Sequence, residues 1–220
     1  MAEQVTGKSA LVAQLEEIGV VPLVTLASPE EAVPLAQALA QGGAPAAEVT
    51  FRSSAALAGM KLIRDQVPDV ILVAGTVHSI EDAQAAVEAG CKGIVTPAFN
   101  EPVVDWCLEQ GVPVVPGTAT PTDVERAYDK GLRYLKFFPA GAYGGVKTLK
   151  ALAGPFAEVK FLPTGGVNLE NAKDFLALKN VFAIGGSFPV PSAAQESGDW
   201  EAVAEACRKA RQIVRSVRGE

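Results

Sequence analysis

Short apolar runs recur along the chain, and between them lie longer stretches in which apolar residues return every three or four positions. The short runs read as buried strands and the longer stretches as amphipathic helices. Residues 8–18 open the pattern as a short helix, with Leu11, Leu15 and Ile18 on one face. Strands are then expected at residues 20–26, 46–52, 70–77, 93–99, 113–118, 134–140, 159–163 and 181–185. Helices are expected between them, and their ends carry recognisable punctuation. Ser28-Pro29-Glu30-Glu31 supplies an N-cap, a first-turn proline and a capping-box glutamate. Ser79, Asn100 and Asn168 are placed to cap three further helices, and Gly42-Gly43, Gly90 and Gly111 stop others. A long helix over residues 200–217 closes the chain.

Eight strand–helix units at roughly the 30-residue spacing of a βα unit imply a parallel sheet. Eight such units in sequence predict an α/β fold, a (β/α)8 TIM barrel with an extra N-terminal helix. The alternative, a doubly wound open sheet, lacks its G-x-G-x-x-G after the first strand. No linker, low-complexity tract or charge block divides the chain, so residues 1–220 are expected to form one domain.

Composition narrows the function. A net charge of −6 argues against a general nucleic-acid surface. No apolar stretch of about 20 residues is present to span a bilayer, and residues 1–10 lack a signal-type apolar core. The three cysteines are far apart with no CxxC, so reduced thiols and a cytoplasmic protein are expected. There is one histidine, His78, and no clustered ligand set, so no metal site is expected.

One strand departs from the apolar rule. Tyr134-Leu135-Lys136-Phe137-Phe138-Pro139-Ala140 carries a lysine in its middle. Burial strips hydration from an ammonium and lowers its pKa, and a neutral amine attacks ketones to form Schiff bases. The plainer alternative is a lysine that snorkels to solvent at a strand end. In barrels the working site lies at the C-terminal strand ends, and polar residues cluster there. Glu48, Thr50 and Arg52 share one parity on the second strand and so one face. Glu48 and Arg52 could also pair structurally with each other. Thr76, Pro97 and Thr164 stand at other strand ends, where the hydroxyls could serve only the backbone. Gly165-Gly166 and Gly185-Gly186-Ser187 end the last two strands, where barrels commonly hold phosphate on backbone N–H groups. An inward lysine, glutamate and arginine fit a ketone, a proton and a carboxylate respectively. His78 and the cysteines read as loop and packing residues.

Glu48-Val49-Thr50-Phe51-Arg52, Gly75-Thr76-Val77, Lys136-Phe137-Phe138-Pro139-Ala140, Gly144-Gly145-Val146-Lys147, Pro163-Thr164-Gly165-Gly166-Val167 and Gly185-Gly186-Ser187 together cover most of the chain in order. With these motifs the chain resembles the class I 2-keto-3-deoxy-6-phosphogluconate (KDPG) and 4-hydroxy-2-oxoglutarate aldolase family. The resemblance implies a cytoplasmic homotrimer without metal or organic cofactor, acting on a phosphorylated 2-keto acid, pyruvate and an aldehyde. It also implies Lys136 as the Schiff-base lysine and Glu48 as general acid/base. Arg52, Thr76 and Thr164 would hold the pyruvate portion, Pro97 and Phe138 would line the pocket, and Gly165, Gly166 and Ser187 would bind phosphate. Ala98, Gly141 and Phe188 depart from the family's usual glycine, acid and tryptophan. A barrel isomerase using Glu48 as base, a metal-dependent aldolase and a non-catalytic binding barrel are the competing readings.

Overall fold

The computed structural model of the chain describes residues 8–219. Its strands are β1 (Val20–Val24), β2 (Ala46–Thr50), β3 (Ile71–Gly75), β4 (Ile94–Val95), β5 (Val114–Val115), β6 (Gly117–Thr118), β7 (Tyr134–Phe137), β8 (Lys160–Pro163) and β9 (Ile184–Gly186). Every residue of β1 and β2 is buried. Strands covered on both faces need small or apolar side chains throughout, which is why these segments read as continuous apolar runs. Glu48 and Thr50 are the buried polar residues of β2.

All strand pairings are parallel. One sheet runs β5-β4-β3-β2-β1-β9 and another β6-β7-β8. The two adjoin at both ends. The strand expected at 113–118 is split at Pro116, which has no N–H to give a ladder. Its carbonyl still accepts from Lys136 N at 2.9 Å. At the other end, bridges Phe161↔Val181 and Thr164↔Gly185 tie β8 to the β9 segment. The protein is thus an α/β fold whose parallel sheet curls, with the C-terminal strand ends gathered on one side.

Ten helices accompany the strands among the described residues: α1 (Ala10–Ile18), α2 (Ala32–Gln41), α3 (Ala56–Gln66), α4 (Ile80–Glu88), α5 (Glu101–Gln110), α6 (Pro121–Asp129), α7 (Gly145–Leu152), α8 (Ala172–Leu176), α9 (Ser192–Ser197) and α10 (Trp200–Arg218). Ser79 Oγ accepts from Asp82 N at 3.0 Å and Asn100 Oδ1 from Val103 N at 3.3 Å, as the sequence predicts. Two expected caps fail. Ser28 makes no side-chain cap bond, and a short 3₁₀ turn, Pro29–Glu31, precedes α2. Glu31 Oε2 reaches back to Ala27 N at 3.4 Å instead. Asn168 does not cap α8; its Oδ1 accepts from Glu170 N and Asn171 N, closing a local turn before the helix starts. Helix α9 escapes the sequence reading because six residues carry too little periodicity to register.

The strands also stop earlier than expected, as at Thr50 rather than residue 52 and at Gly75 rather than residue 77. Leu26 and Val77 lie beyond strand ends yet are buried, so apolar character outlasts the hydrogen-bonded ladder. Residues 1–7 of the stretch read for a signal segment lie outside the described residues.

Helix α6 shows how strongly local chemistry sets a boundary. Thr120 Oγ1 accepts from Asp123 N at 3.3 Å and Asp123 Oδ2 accepts from Thr120 N at 3.0 Å, a reciprocal capping box. Thr120→Ala is expected to cost about 1 kcal/mol. It would appear as a lower urea midpoint at unchanged slope. In the core, Leu135 and Phe137 alternate with Lys136 and so lie on the opposite face of β7. Phe137 meets Phe161 edge to face, with ring centroids 6.2 Å apart. Burying each such ring contributes roughly 1.5–3 kcal/mol.

Candidate active site

Strand β7 is fixed from both sides around its lysine. Lys136 pairs in register with Gly117 of β6 and Leu162 of β8. Its carbonyl accepts from Thr118 Oγ1 at 3.0 Å. The opposite-face neighbours Leu135 and Phe137 are fully buried, so β7 cannot rotate the lysine outward without exposing them. The side chain does not snorkel: it is 3% exposed. Its Nζ lies 2.7 Å from Glu48 Oε1, and Glu48 is completely buried. Nζ also stands 5.5 Å from the centre of the Phe138 ring. Glu48 Oε2 has no hydrogen-bond partner among the described residues.

Two opposite charges withdrawn from water cost several kcal/mol each, recovered only by close mutual contact. The arrangement therefore keeps an amine, a proton acceptor 2.7 Å away and one uncommitted carboxylate oxygen together in a dry place. A proton can pass along the Nζ–H···Oε1 bond, leaving a neutral amine beside a carboxylic acid.

The other residues predicted from sequence lie at or just beyond the C-terminal ends of the strands. At Arg52 the expected strand bound is what differs. Strand β2 ends at Thr50, and Arg52 lies exposed in the turn that follows, so strand parity does not aim it inward. It is not the partner of Glu48, which pairs with Lys136. Thr50, buried on β2, shares a 2.8 Å hydroxyl contact with Thr25. Thr76 follows β3 half-buried, with φ at 58°. A β-branched residue in that left-handed region costs of order 1–3 kcal/mol, and such strain concentrates at functional sites. Pro97 is half-buried in a turn braced by Thr96 Oγ1, which donates to Ala98 O at 2.7 Å. Thr164 is buried, its hydroxyl 3.5 Å from Leu162 O, a contact too long to hold it firmly. Gly165 and Gly166 follow with φ of 86° and 83°. Only glycine takes two such values in succession without strain. Ser187 lies exposed just past β9.

Gly185, expected at a phosphate turn, has a packing part as well, and Gln195 had no sequence signal. Gly185 leaves room for Thr164: a Cβ there would sit 2.7 Å from Thr164 Oγ1. Gln195 of α9 donates to Thr25 O at 2.9 Å and to Glu31 Oε2 at 2.8 Å, which ties the segment after Ser187 to the end of β1. Nothing in the sequence pattern signals that contact, because it joins residues 170 positions apart. His78 is exposed, and its carbonyl accepts from Asn100 Nδ2 at 2.8 Å. Burial pushes the thiols of Cys91, Cys107 and Cys207 up to about 12, so they stay protonated and inert at neutral pH. Among the described residues, no group of three or more His, Cys, Asp or Glu is arranged to hold a metal ion. An open hollow of about 990 Å³ lies at the other end of the strands, lined in part by Lys8, Asp69 and Lys92, and neither Lys136 nor Glu48 lines it.

Comparison with known proteins matches the chain to a family. The family model for KDPG and KHG aldolase covers residues 11–206. The 2-dehydro-3-deoxy-phosphogluconate aldolase of Treponema pallidum is 45% identical over 200 residues, spanning 91% of this chain and 95% of that protein. The KHG/KDPG aldolase of Escherichia coli is 42% identical over 191 residues, spanning 87% of this chain and 90% of that one. The crystal structure of KDPG aldolase from Legionella pneumophila, with pyruvate captured at low pH as a covalent carbinolamine intermediate, superposes with a TM-score of 0.88 at 34% identity. That likeness covers 92% of this chain and 98% of the other. The chain belongs to the KDPG and KHG aldolase family.

Proposed function

We propose that the protein is a class I aldolase that cleaves 2-keto-3-deoxy-6-phosphogluconate to pyruvate and glyceraldehyde 3-phosphate and also acts on 4-hydroxy-2-oxoglutarate. The observation that carries this reading is the buried contact of Lys136 Nζ with Glu48 Oε1 at 2.7 Å. Lys136 is read as the nucleophile and Glu48 as the proton carrier. With a proton handed to Glu48, the amine lone pair attacks C2 of the keto acid. The carbonyl electrons move to its oxygen, which takes a proton from Glu48 to give a carbinolamine. Loss of the hydroxyl as water leaves a protonated imine. Glu48, a carboxylate again, then takes the C4 hydroxyl proton as the base, C4 becomes a carbonyl, and the C3–C4 bond breaks with its electron pair drawn toward the iminium. Glyceraldehyde 3-phosphate departs and an enamine remains. Glu48 delivers a proton to C3, water adds to the imine, and pyruvate leaves with Lys136 restored. Positioned proton transfer of this kind contributes about 10²- to 10⁴-fold.

Thr76, Thr164 and Arg52 are read as holding the pyruvate portion, with Pro97 and Phe138 lining the pocket. Gly165, Gly166 and Ser187 are read as the phosphate site. In support, the left-handed geometry of Gly165 and Gly166 suits backbone N–H groups turned toward an anion. Ser187→Asp is expected to raise KM for the phosphorylated substrate at least about tenfold, through the lost charged hydrogen bond and added repulsion. KM for 4-hydroxy-2-oxoglutarate, which has no phosphate, should change little. Equal effects on both substrates would count against the site.

The curled sheet is read as a closed (β/α)8 barrel with α1 as the additional N-terminal helix, and residues 1–220 as one domain. Support comes from the strand order, from the single residue between β5 and β6, and from the bridges between the β8 and β9 segments. A homotrimer in the cytoplasm follows from the family resemblance, and sedimentation equilibrium tests the assembly. Among the described residues, no helix is long and apolar enough to cross a membrane.

A further inference from the structure

Gly75 ends β3, is buried, and pairs in register with Thr50 of β2. Glu48 occupies the space that a side chain at this position would fill. A Cβ at Gly75 would lie 2.5 Å from Glu48 Oε1, 2.6 Å from its Cγ and 3.0 Å from its Cδ. Carbon atoms in favourable contact sit about 3.5–4.0 Å apart, so not even a methyl group coexists with this placement of Glu48. Backbone conformation is not what calls for glycine here, because Gly75 is not among the glycines in the left-handed region. Nor can the strand step aside. Gly75 O accepts from Phe51 N at 2.9 Å, and the neighbouring Ala74 N donates to Gly93 O at 3.1 Å, so β3 is held from both flanks.

The atom that leans on Gly75 is Oε1, the same atom that meets Lys136 Nζ at 2.7 Å. Any shift that relieved a new side chain at residue 75 would move Oε1 and spoil that contact. We propose that Gly75 is a positioning residue: the bare backbone at the end of β3 seats the Glu48 carboxylate against Lys136, and so governs proton transfer without touching substrate. The inference rests on the reading of Glu48 as proton carrier.

The test combines two readouts on Gly75→Ala, Glu48→Ala and the double variant. Exchange of the pyruvate methyl protons with deuterated water, followed by NMR, reports proton transfer at C3. Borohydride trapping of pyruvate on Lys136 reports imine formation. Gly75→Ala is expected to retain trapping while exchange slows by about 10²-fold or more. In Glu48→Ala the obstructing side chain is gone, so adding Gly75→Ala should change neither the residual exchange rate nor the Tm. Wild-type exchange in Gly75→Ala beside slow exchange in Glu48→Ala overturns the proposal alone. Wild-type exchange in Glu48→Ala overturns the reading of Glu48 and the proposal with it. A further loss in the double variant equal to that in the single one also overturns it, because the effect would not run through Glu48. If Gly75→Ala does not fold, the double variant decides: recovery of folding places the clash on Glu48, and failure to recover overturns the proposal.

Discussion

Lys136→Ala is expected to lose turnover by on the order of 10⁶-fold, the size of loss met when a covalent nucleophile is removed from an enzyme that depends on it. Without the amine there is no imine, and without the imine the electrons of the C3–C4 bond have nowhere to go. The pyruvyl adduct trapped by borohydride should vanish from the peptide containing residue 136. The substitution also has a structural consequence. It leaves Glu48, fully buried, with its ion-pair partner gone. Breaking a buried pair from one side costs about 3–5 kcal/mol. Turnover must therefore be compared at a temperature where circular dichroism shows the variant folded. Lys136→Met keeps most of the side-chain volume and separates lost packing from lost chemistry. Near-wild-type turnover in either folded variant would remove Lys136 from the mechanism.

Glu48→Gln should behave differently, and the difference separates the two roles. The amide is nearly isosteric with the carboxylate, and its oxygen can still accept from Lys136 Nζ. It cannot take or return a proton. Trapping of pyruvate is expected to persist, while methyl-proton exchange and overall cleavage fall by about 10²- to 10⁴-fold. An exchange rate equal to wild type would assign the proton to another group. Loss of trapping together with exchange would mean that Glu48 is needed chiefly to form the imine.

These outcomes concern residues that the sequence marks unequally. Lys136 is conspicuous because a charge within an apolar run is costly to bury, and that cost is visible without a structure. Glu48 is conspicuous for the same reason, yet its partner is not. Sequence parity offered Arg52 as the nearby cation, whereas the pair that forms joins residues 88 positions apart. Arg52 shows the limit of periodicity. Alternation aims side chains only while the strand lasts, and β2 ends two residues before it. The caps divide in the same way. Ser79 and Asn100 act through bonds three residues away, which local sequence fully specifies. Ser28 and Asn168 have the same chemistry but sit where the incoming chain makes a turn first.

By itself, then, the sequence determined the α/β class, the rhythm of strands and helices, and the presence of a lysine within an apolar strand. Those features follow from local periodicity, turn chemistry and the cost of burying charge. Tertiary structure alone decided which carboxylate meets Lys136, that Arg52 lies beyond the sheet, that Lys136 is buried, and that Glu48 fills the space beside Gly75. Each of those depends on distances between strands distant in the chain, and such distances are set by how the parallel sheet curls.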